Sequence, residues 1–260
     1  HEYGAKILCQ LWHTGHIGNT ALNYLPIVSA SPIADVSTRL IPKELEVEEI
    51  DEVVDAFGKA AKHVVAAGLD GVELHGTHGY LIEQFYSPLW NRRTDKYGGP
   101  LENRMRFVLE IIDRIREYVG YDTVLAVRMS ADELIKGGIT PEDGKAMARM
   151  LEGTGKVDFL DVDGTTYHHI HICVAPMYVP PGHLIYTAAA VKEAVKKIPV
   201  GGVGRITDPV MAERFLAEGK VDMVGMGRQH LADPETVNKA RAGKLDDIRP
   251  CVGCCQNCIG

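Results

Sequence analysis

The feature that most constrains this chain is an alternation along its length: short runs rich in Val, Ile and Leu, each followed by a longer segment of helical period. Parallel strands buried on both faces read as near-continuous apolar runs, and they need a crossover connection, usually a helix. Runs near Ala5 to Trp12, Gly71 to His75, Val124 to Met129, Phe159 to Val162, Val200 to Val203 and Met223 to Met226 are read as six such strands. Between the second and third, Leu101, Met105, Val108, Ile112, Ile115 and Val119 recur every three or four residues and predict one amphipathic helix. Ile50, Val53, Val54, Phe57, Ala61 and Val64 form another apolar stripe. Thr140-Pro141 and Asp208-Pro209 place a capping side chain before a proline, the signature of a helix start.

Six β/α units suit either a doubly wound sheet or a (β/α)8 barrel, and periodicity does not separate them. The polar residues do. Nearly every expected strand ends in a group able to do chemistry: Gln10 and His13, His75 and His78, Arg128, Asp163, Arg205 and Arg228. Chemistry at the carboxyl end of many strands is the habit of the barrel, whose loops converge on one mouth. The expected class is therefore α/β, a (β/α)8 TIM barrel that is incomplete here. The chain starts at His1 and stops inside a cysteine cluster, so the first two β/α units are expected to be missing and more sequence to follow.

At 260 residues, 45% hydrophobic and 24% charged, the chain can bury one large core. A formal charge of -7 without a Lys/Arg run argues against a grip on nucleic acid or an anionic membrane and for a small-molecule partner. Neither a bilayer-length apolar stretch nor a signal core is found. The location expected is the cytoplasm, and a homo-oligomer is compatible with everything above. Four of the six cysteines fall in the last ten residues, a crowding that suits a metal or cluster better than spaced disulfides.

Gly202-Val203-Gly204-Arg205 and Gly225-Met226-Gly227-Arg228 each follow an expected strand and lead towards a helix. Glycine admits backbone amides to an anion, a helix start adds favourable dipole, and arginine adds a forked cation. The matched pair reads as a phosphate site rather than two unrelated tight turns. In the segment from Gly71 to Arg104, one strand delivers His75, His78 and Tyr80 in quick succession. Two imidazoles can donate hydrogen bonds to a carbonyl oxygen and a phenol can give a proton. Structural packing and a metal site are the alternatives, the metal weakened by the lack of a third ligand at evident spacing.

The run from His75 to Arg104, Gln10-Leu11-Trp12-His13 before it and the Gly-Arg pair after it resemble the Old Yellow Enzyme family of FMN-dependent barrels. The tail RPCVGCCQNCIG is similar to the branch that includes bacterial 2,4-dienoyl-CoA reductase and trimethylamine dehydrogenase. The resemblance implies that Gln10 bonds the flavin pyrimidine and that Arg128 stands beside flavin N1 and O2, stabilising the anionic reduced ring. Gly204, Arg205, Gly227 and Arg228 match phosphate-binding positions. His75 and His78 match the pair that binds the substrate carbonyl, and Tyr80 matches the proton donor. His168 falls near a histidine over the flavin, with His169 and His171 competing for that role. His16 stands where the family often has Arg.

Cys251, Cys254 and Cys258 resemble the first three ligands of a 4Fe-4S cluster, with Cys255 an extra thiol where the branch has Asn. Zinc and unligated thiols are the alternatives; Cys9 and Cys173 read as packing residues. Residues 1–245 are thus expected to be a partial FMN-binding barrel and residues 246–260 the truncated start of a cluster segment. The expected activity is reduction of an activated alkene in an enone or enoyl thioester, with NAD(P)H electrons arriving through FAD and the cluster. Alternatives are an amine dehydrogenase of the trimethylamine dehydrogenase type and, outside redox, a phosphate-binding isomerase or aldolase barrel. A non-catalytic binding role is the remaining class.

Overall fold

The computed structural model describes residues 1–256 and Cys258. Its strands are β1 (Leu8–Leu11), β2 (Val28–Ser29), β3 (Lys43–Glu44), β4 (Gly71–Gly76), β5 (Val124–Ser130), β6 (Phe159–Asp163), β7 (Val200–Gly202) and β8 (Met223–Val224). Six of them form one parallel sheet in the order β1-β4-β5-β6-β7-β8, and β2 and β3 pair separately. The main sheet follows chain order without reversal. A doubly wound sheet reverses at a switch point, whereas a barrel wall advances strand by strand. The fold is an incomplete (β/α)8 barrel, two strands short of closure among the described residues.

All six expected strands are present, some shorter than their apolar runs. The first begins at Leu8 rather than Ala5 because its ladder has only β4 to pair with, from Leu8 opposite Gly71 to Leu11 opposite Leu74. The last is reduced to Met223 and Val224, paired with Gly201 and Gly202. The short β2/β3 pair was not anticipated; two-residue ladders leave no periodic signal.

Alternation within the strands divides two environments. Val72 and Leu74, Leu125, Val127 and Met129, and Leu160 and Val162 face the helices and are buried. Glu73 and His75, Arg128, Asp161 and Asp163 occupy the intervening positions. Only one of the two faces is thus apolar. The helix Val47–Ala66 packs against Arg106–Val119, burying Ile50, Val54, Phe57 and Ala61 on one side and Val108, Ile111, Ile112 and Ile115 on the other.

The expected helix from Leu101 is divided into Leu101–Arg104 and Arg106–Val119, with Met105 between. Arg104 donates to the carbonyls of Gly99 and Tyr86, tying the first turn to the preceding loop. The two capping signals hold: Thr140 and Asp143 form a capping box, and Asp208 accepts from the Val210 amide. No described helix is long and apolar enough to cross a membrane.

Ile111 is fully buried where the two long helices meet the sheet, so Ile111→Ala should cost about 2–5 kcal/mol in urea unfolding. Val65→Ala, on the exposed side of the first helix, should change stability by about 0.5 kcal/mol or less. Equal effects would mean that this interface is not part of the core.

Candidate active site

Strand register builds the site. His75 is the partner of Arg128, and Arg128 the partner of Asp161, so three polar residues form one row across β4, β5 and β6. Asp163 lies two residues beyond Asp161 on the same face. Beyond β4 the chain turns sharply, His78 adopting the left-handed region at φ 63. His78 Nε2 then meets Asp163 Oδ2 at 3.0 Å, and Arg128 Nη2 donates to the same oxygen at 2.5 Å. Arg128 Nε also lies 3.3 Å from Asp161 Oδ2.

The charges sort themselves by these contacts. Burial opposes ionisation of Asp163, but the hydrogen bond to His78 and the nearby positive charges of His78 and Arg128 hold it well below the usual carboxylate range. Burial alone would lower His78; its bond to Asp163, with a further contribution from Cys173, raises it to about 10. His75 goes the other way, lowered to about 3 by burial and by its positive neighbours His78 and Arg128. The two rings are 5.2 Å apart, one held neutral and the other protonated. Burial raises Asp161 to about 6 despite the opposing charge of Arg128.

Tyr80 stands beside this pair, its ring 5.1 Å from His75 and 4.8 Å, edge to face, from Trp12. Its hydroxyl is 2.9 Å from the Tyr167 hydroxyl. Burial first, then Tyr167, raises the Tyr80 pKa, so the phenol keeps its proton at neutral pH. His75, His78 and Tyr80 are therefore brought together as expected from sequence.

The two Gly-Arg loops also converge. Gly204, Arg205, Gly227 and Arg228 line one cavity of about 330 Å³ with Arg128 and Asp163. Arg205, at φ 54, donates through Nη1 to the Pro176 carbonyl at 3.1 Å and to that of Val179. Its Nε is buried without a hydrogen-bond partner among the described residues. Arg228 Nη1 reaches the Ala175 carbonyl at 2.8 Å and Cys255 Sγ at 3.1 Å. Three arginines, two of them with a buried Nε that makes no hydrogen bond among the described residues, and a glycine at 227 with open space around it fit a phosphate joined to an electron-accepting ring.

The remaining expected site residues have partners of their own. Gln10 is exposed beside β4 and donates to Glu73 Oε2 at 2.5 Å. His168 packs on Trp90, ring centroids 4.8 Å apart, and burial lowers its pKa. His16 meets the same indole edge to face at 4.9 Å and contacts the Ile33 carbonyl at 3.2 Å. Cys254 and Cys258 are exposed and Cys251 is partly buried; among the described residues no three His, Cys, Asp or Glu side chains assemble a metal site. Asn257, Ile259 and Gly260 of the tail lie outside the described residues.

Cys9 packs against the core, as expected, but Cys173 does not serve only as packing: the short helix Ile170–Cys173 brings it to the cavity wall beside Asp163. Sequence reasoning also missed Tyr167, adjacent to the expected His168, and the pairing role of Asp163. Asp163 had a signal, being the polar end of an apolar strand; Tyr167 had none, since its loop has no period.

A parallel barrel wall whose carboxyl edge gathers an imidazole pair, a phenol and an arginine-lined cavity is the design of a flavin-dependent oxidoreductase. The chain belongs to the NADH:flavin oxidoreductase / NADH oxidase family, whose profile matches residues 1–247. It is 45% identical over 261 residues to an NADH oxidase of Thermoanaerobacter brockii, covering 100% of this chain and 40% of that protein. A multifunctional alkene reductase/demethylase of Caballeronia cordobensis is 39% identical over 264 residues, covering 99% of this chain and 38% of that protein. A 2-naphthoyl-CoA reductase in complex with 2-naphthoyl-CoA superposes with a TM-score of 0.90 at 32% identity, covering 98% of this chain and 40% of that one. Membership of this family sets aside the isomerase or aldolase reading.

The raised His78 pKa contributes stability in full below the ordinary value of 6.5 and loses it as pH rises towards about 10. The lowered Asp163 pKa contributes in full above the ordinary 3.8 and loses it in stronger acid. The pair should therefore stabilise most between these ordinary values. In Asp163→Asn, an NMR titration should find the His78 imidazole titrating below 6.5, because burial and Arg128 remain. A His78 pKa still near 10 would exclude Asp163 as its cause.

Proposed function

We propose that this chain carries the FMN and substrate sites of an ene-reductase acting on the C=C bond of an enone or enoyl thioester. The observation that carries the reading is the grouping of His75, His78 and Tyr80 on one wall, linked through Asp163 and Arg128 to the arginine-lined cavity. Gly204, Arg205, Gly227 and Arg228 would hold the FMN phosphate, with Arg128 and Gln10 towards the ring. FMN, when bound, supplies the hydride that the β-carbon receives. His75 and His78 hold and polarise the activating carbonyl, so negative charge developing on its oxygen meets a protonated imidazole. Tyr80 gives the proton from Oη to the α-carbon, and Tyr167 orients that hydroxyl. His168, on Trp90, is left to shape the wall.

The proposal divides the chain into a partial barrel at 1–245 and the start of a cluster segment at 246–260. Cys251, Cys254 and Cys258 are the ligand candidates for a 4Fe-4S cluster, supported by their spacing and thiolate chemistry; Cys255 is engaged with Arg228 instead. NAD(P)H, with FAD as intermediary, is the proposed electron source in the whole protein, and the cytoplasm its proposed location. An amine dehydrogenase is the second reading. The Trp12, Tyr80 and Tyr167 rings meet edge to face, as an amine-binding cage would need, and one relative is also named a demethylase. The protonated His78 and Arg128 disfavour a cation there.

In the flavin-loaded holoenzyme, Tyr80→Phe should slow alkene reduction roughly a hundredfold while leaving FMN content and flavin reduction by NAD(P)H nearly intact. Stopped-flow flavin absorbance separates the half-reactions; equal slowing of both would reject the proton-donor role. Arg228→Ala should weaken FMN binding about tenfold or more, and an unchanged dissociation constant would remove the phosphate assignment. Cys251→Ser and Cys258→Ser should each lower bound iron and sulfide in protein purified without oxygen. Full iron in both variants would leave the cluster unsupported.

A further inference from the structure

The turn that presents His78 and Tyr80 is one that the chain would not adopt unaided. His78 at φ 63 and Gly79 at φ 80 are consecutive left-handed residues, and the first carries a Cβ that opposes this conformation. Such a conformation persists only where surrounding contacts over-determine it. They come from the helix Leu81–Tyr86, which starts immediately afterwards. The Glu83 side chain reaches back past Tyr80, and its Oε2 accepts the Gly79 N–H. Gln84 Nε2 donates to the Gly79 carbonyl at 2.6 Å. Adjacent side chains thus hold both polar groups of one residue.

Neither side chain is exposed. Gln84 is itself fixed, its Oε1 accepting from the His16 amide at 3.2 Å and from Ser29 Oγ at 2.9 Å. Glu83 Oε1 is buried and makes no well-formed hydrogen bond among the described residues, with the Ser130 side chain its near polar neighbour. Its neighbour Glu133 takes donors from Ser87 Oγ at 2.6 Å, Ile139 N at 2.7 Å and Trp90 Nε1 at 3.0 Å. Glu133 is the better home for negative charge. Burial first, and then the charge of Glu133, keep Glu83 protonated well above the carboxylate range. An apolar side chain would fill this position without the cost of a buried carboxyl. A buried polar group with one oxygen lacking a well-formed hydrogen bond calls for an explanation beyond packing.

We infer that Glu83, with Gln84, is a positioning residue: together they grip Gly79 by its N–H and its C=O and so set where His78 and Tyr80 stand. His78 is thereby directed to Asp163 and Tyr80 to Tyr167. Glu83 needs an acceptor oxygen for this and no charge. The catalytic consequence rests on the roles proposed above for His78 and Tyr80; the grip itself does not.

Amide hydrogen exchange and stopped-flow absorbance in the flavin-loaded holoenzyme test the inference. Gly79 N–H should be strongly protected although it lies in a turn. Glu83→Leu should speed its exchange at least tenfold, leave Val127 in β5 unchanged, and slow alkene reduction by about tenfold or more. Glu83→Gln keeps an acceptor oxygen and should restore both readouts. Combined with Tyr80→Phe, Glu83→Leu should add less slowing than it causes alone, since the part of its effect that runs through Tyr80 is already lost and only the part through His78 remains. Free exchange at Gly79 in the unaltered protein would overturn the inference, as would Glu83→Gln behaving like Glu83→Leu, or slowing that multiplies in the double variant. Exchange at Gly79 in the unaltered protein and in Glu83→Gln can be read even if Glu83→Leu does not fold, and fast exchange in either would overturn the inference. Loss of Gly79 protection in Glu83→Leu supports the grip even where Tyr80→Phe leaves alkene reduction untouched, a result that sinks only the proton-donor role.

Discussion

Asp163 is the carboxylate on which the site depends. One of its oxygens accepts from both His78 and Arg128, while the other accepts the Gly164 amide at 2.8 Å. Burying a charge is expensive, and an isolated carboxylate in this position would take a proton instead. Two cations and a backbone donor make ionisation favourable, and the same contacts tie the His75/His78 wall to the arginine-lined cavity. Without that anion, burial beside Arg128 would strip His78 of its proton. The opposite protonation of the two imidazoles follows from the arrangement: His78 is in contact with the anion, whereas His75 has the positive neighbours and burial.

The barrel wall makes this affordable by separating its two faces. Alternate residues of β4, β5 and β6 pack under the helices as a continuous apolar layer, leaving the others free to carry charge. A shift of one residue in any of these ladders would send His75, Arg128 or Asp161 into the apolar layer. The apolar face therefore protects the register of the chemical one. Loops then complete what strands cannot. Tyr167, Cys173 and the carbonyls of Ala175, Pro176 and Val179 all come from the segment after β6; Tyr167 meets Tyr80, and the three carbonyls meet arginines placed beyond β7 and β8.

The strands, the long helices and the carboxyl-edge placement of chemistry were legible in the amino-acid sequence because they depend on local repetition. Period-two and period-3.6 patterns record burial, and a polar residue that ends an apolar run records the sheet edge. Those signals placed His75, His78, Tyr80, Arg128, Arg205 and Arg228 near one mouth. They could not say that His168 packs on Trp90 while Tyr167 meets Tyr80, because an aperiodic loop carries no phase. Nor could they rank Asp163 above other strand-end residues, since its importance lies in two partners 85 and 35 positions away.

By itself, then, the sequence determined which residues alternate between core and mouth, where helices start, and that two Gly-Arg turns follow the last two strands. Only the tertiary structure decided which imidazole is charged, which tyrosine faces Tyr80, and that Glu83 and Gln84 grip the turn between them. The reason is physical: periodicity is encoded by neighbours along the chain. Protonation, hydrogen-bond partners and loop conformation are set by groups that meet only when the ladders come into register.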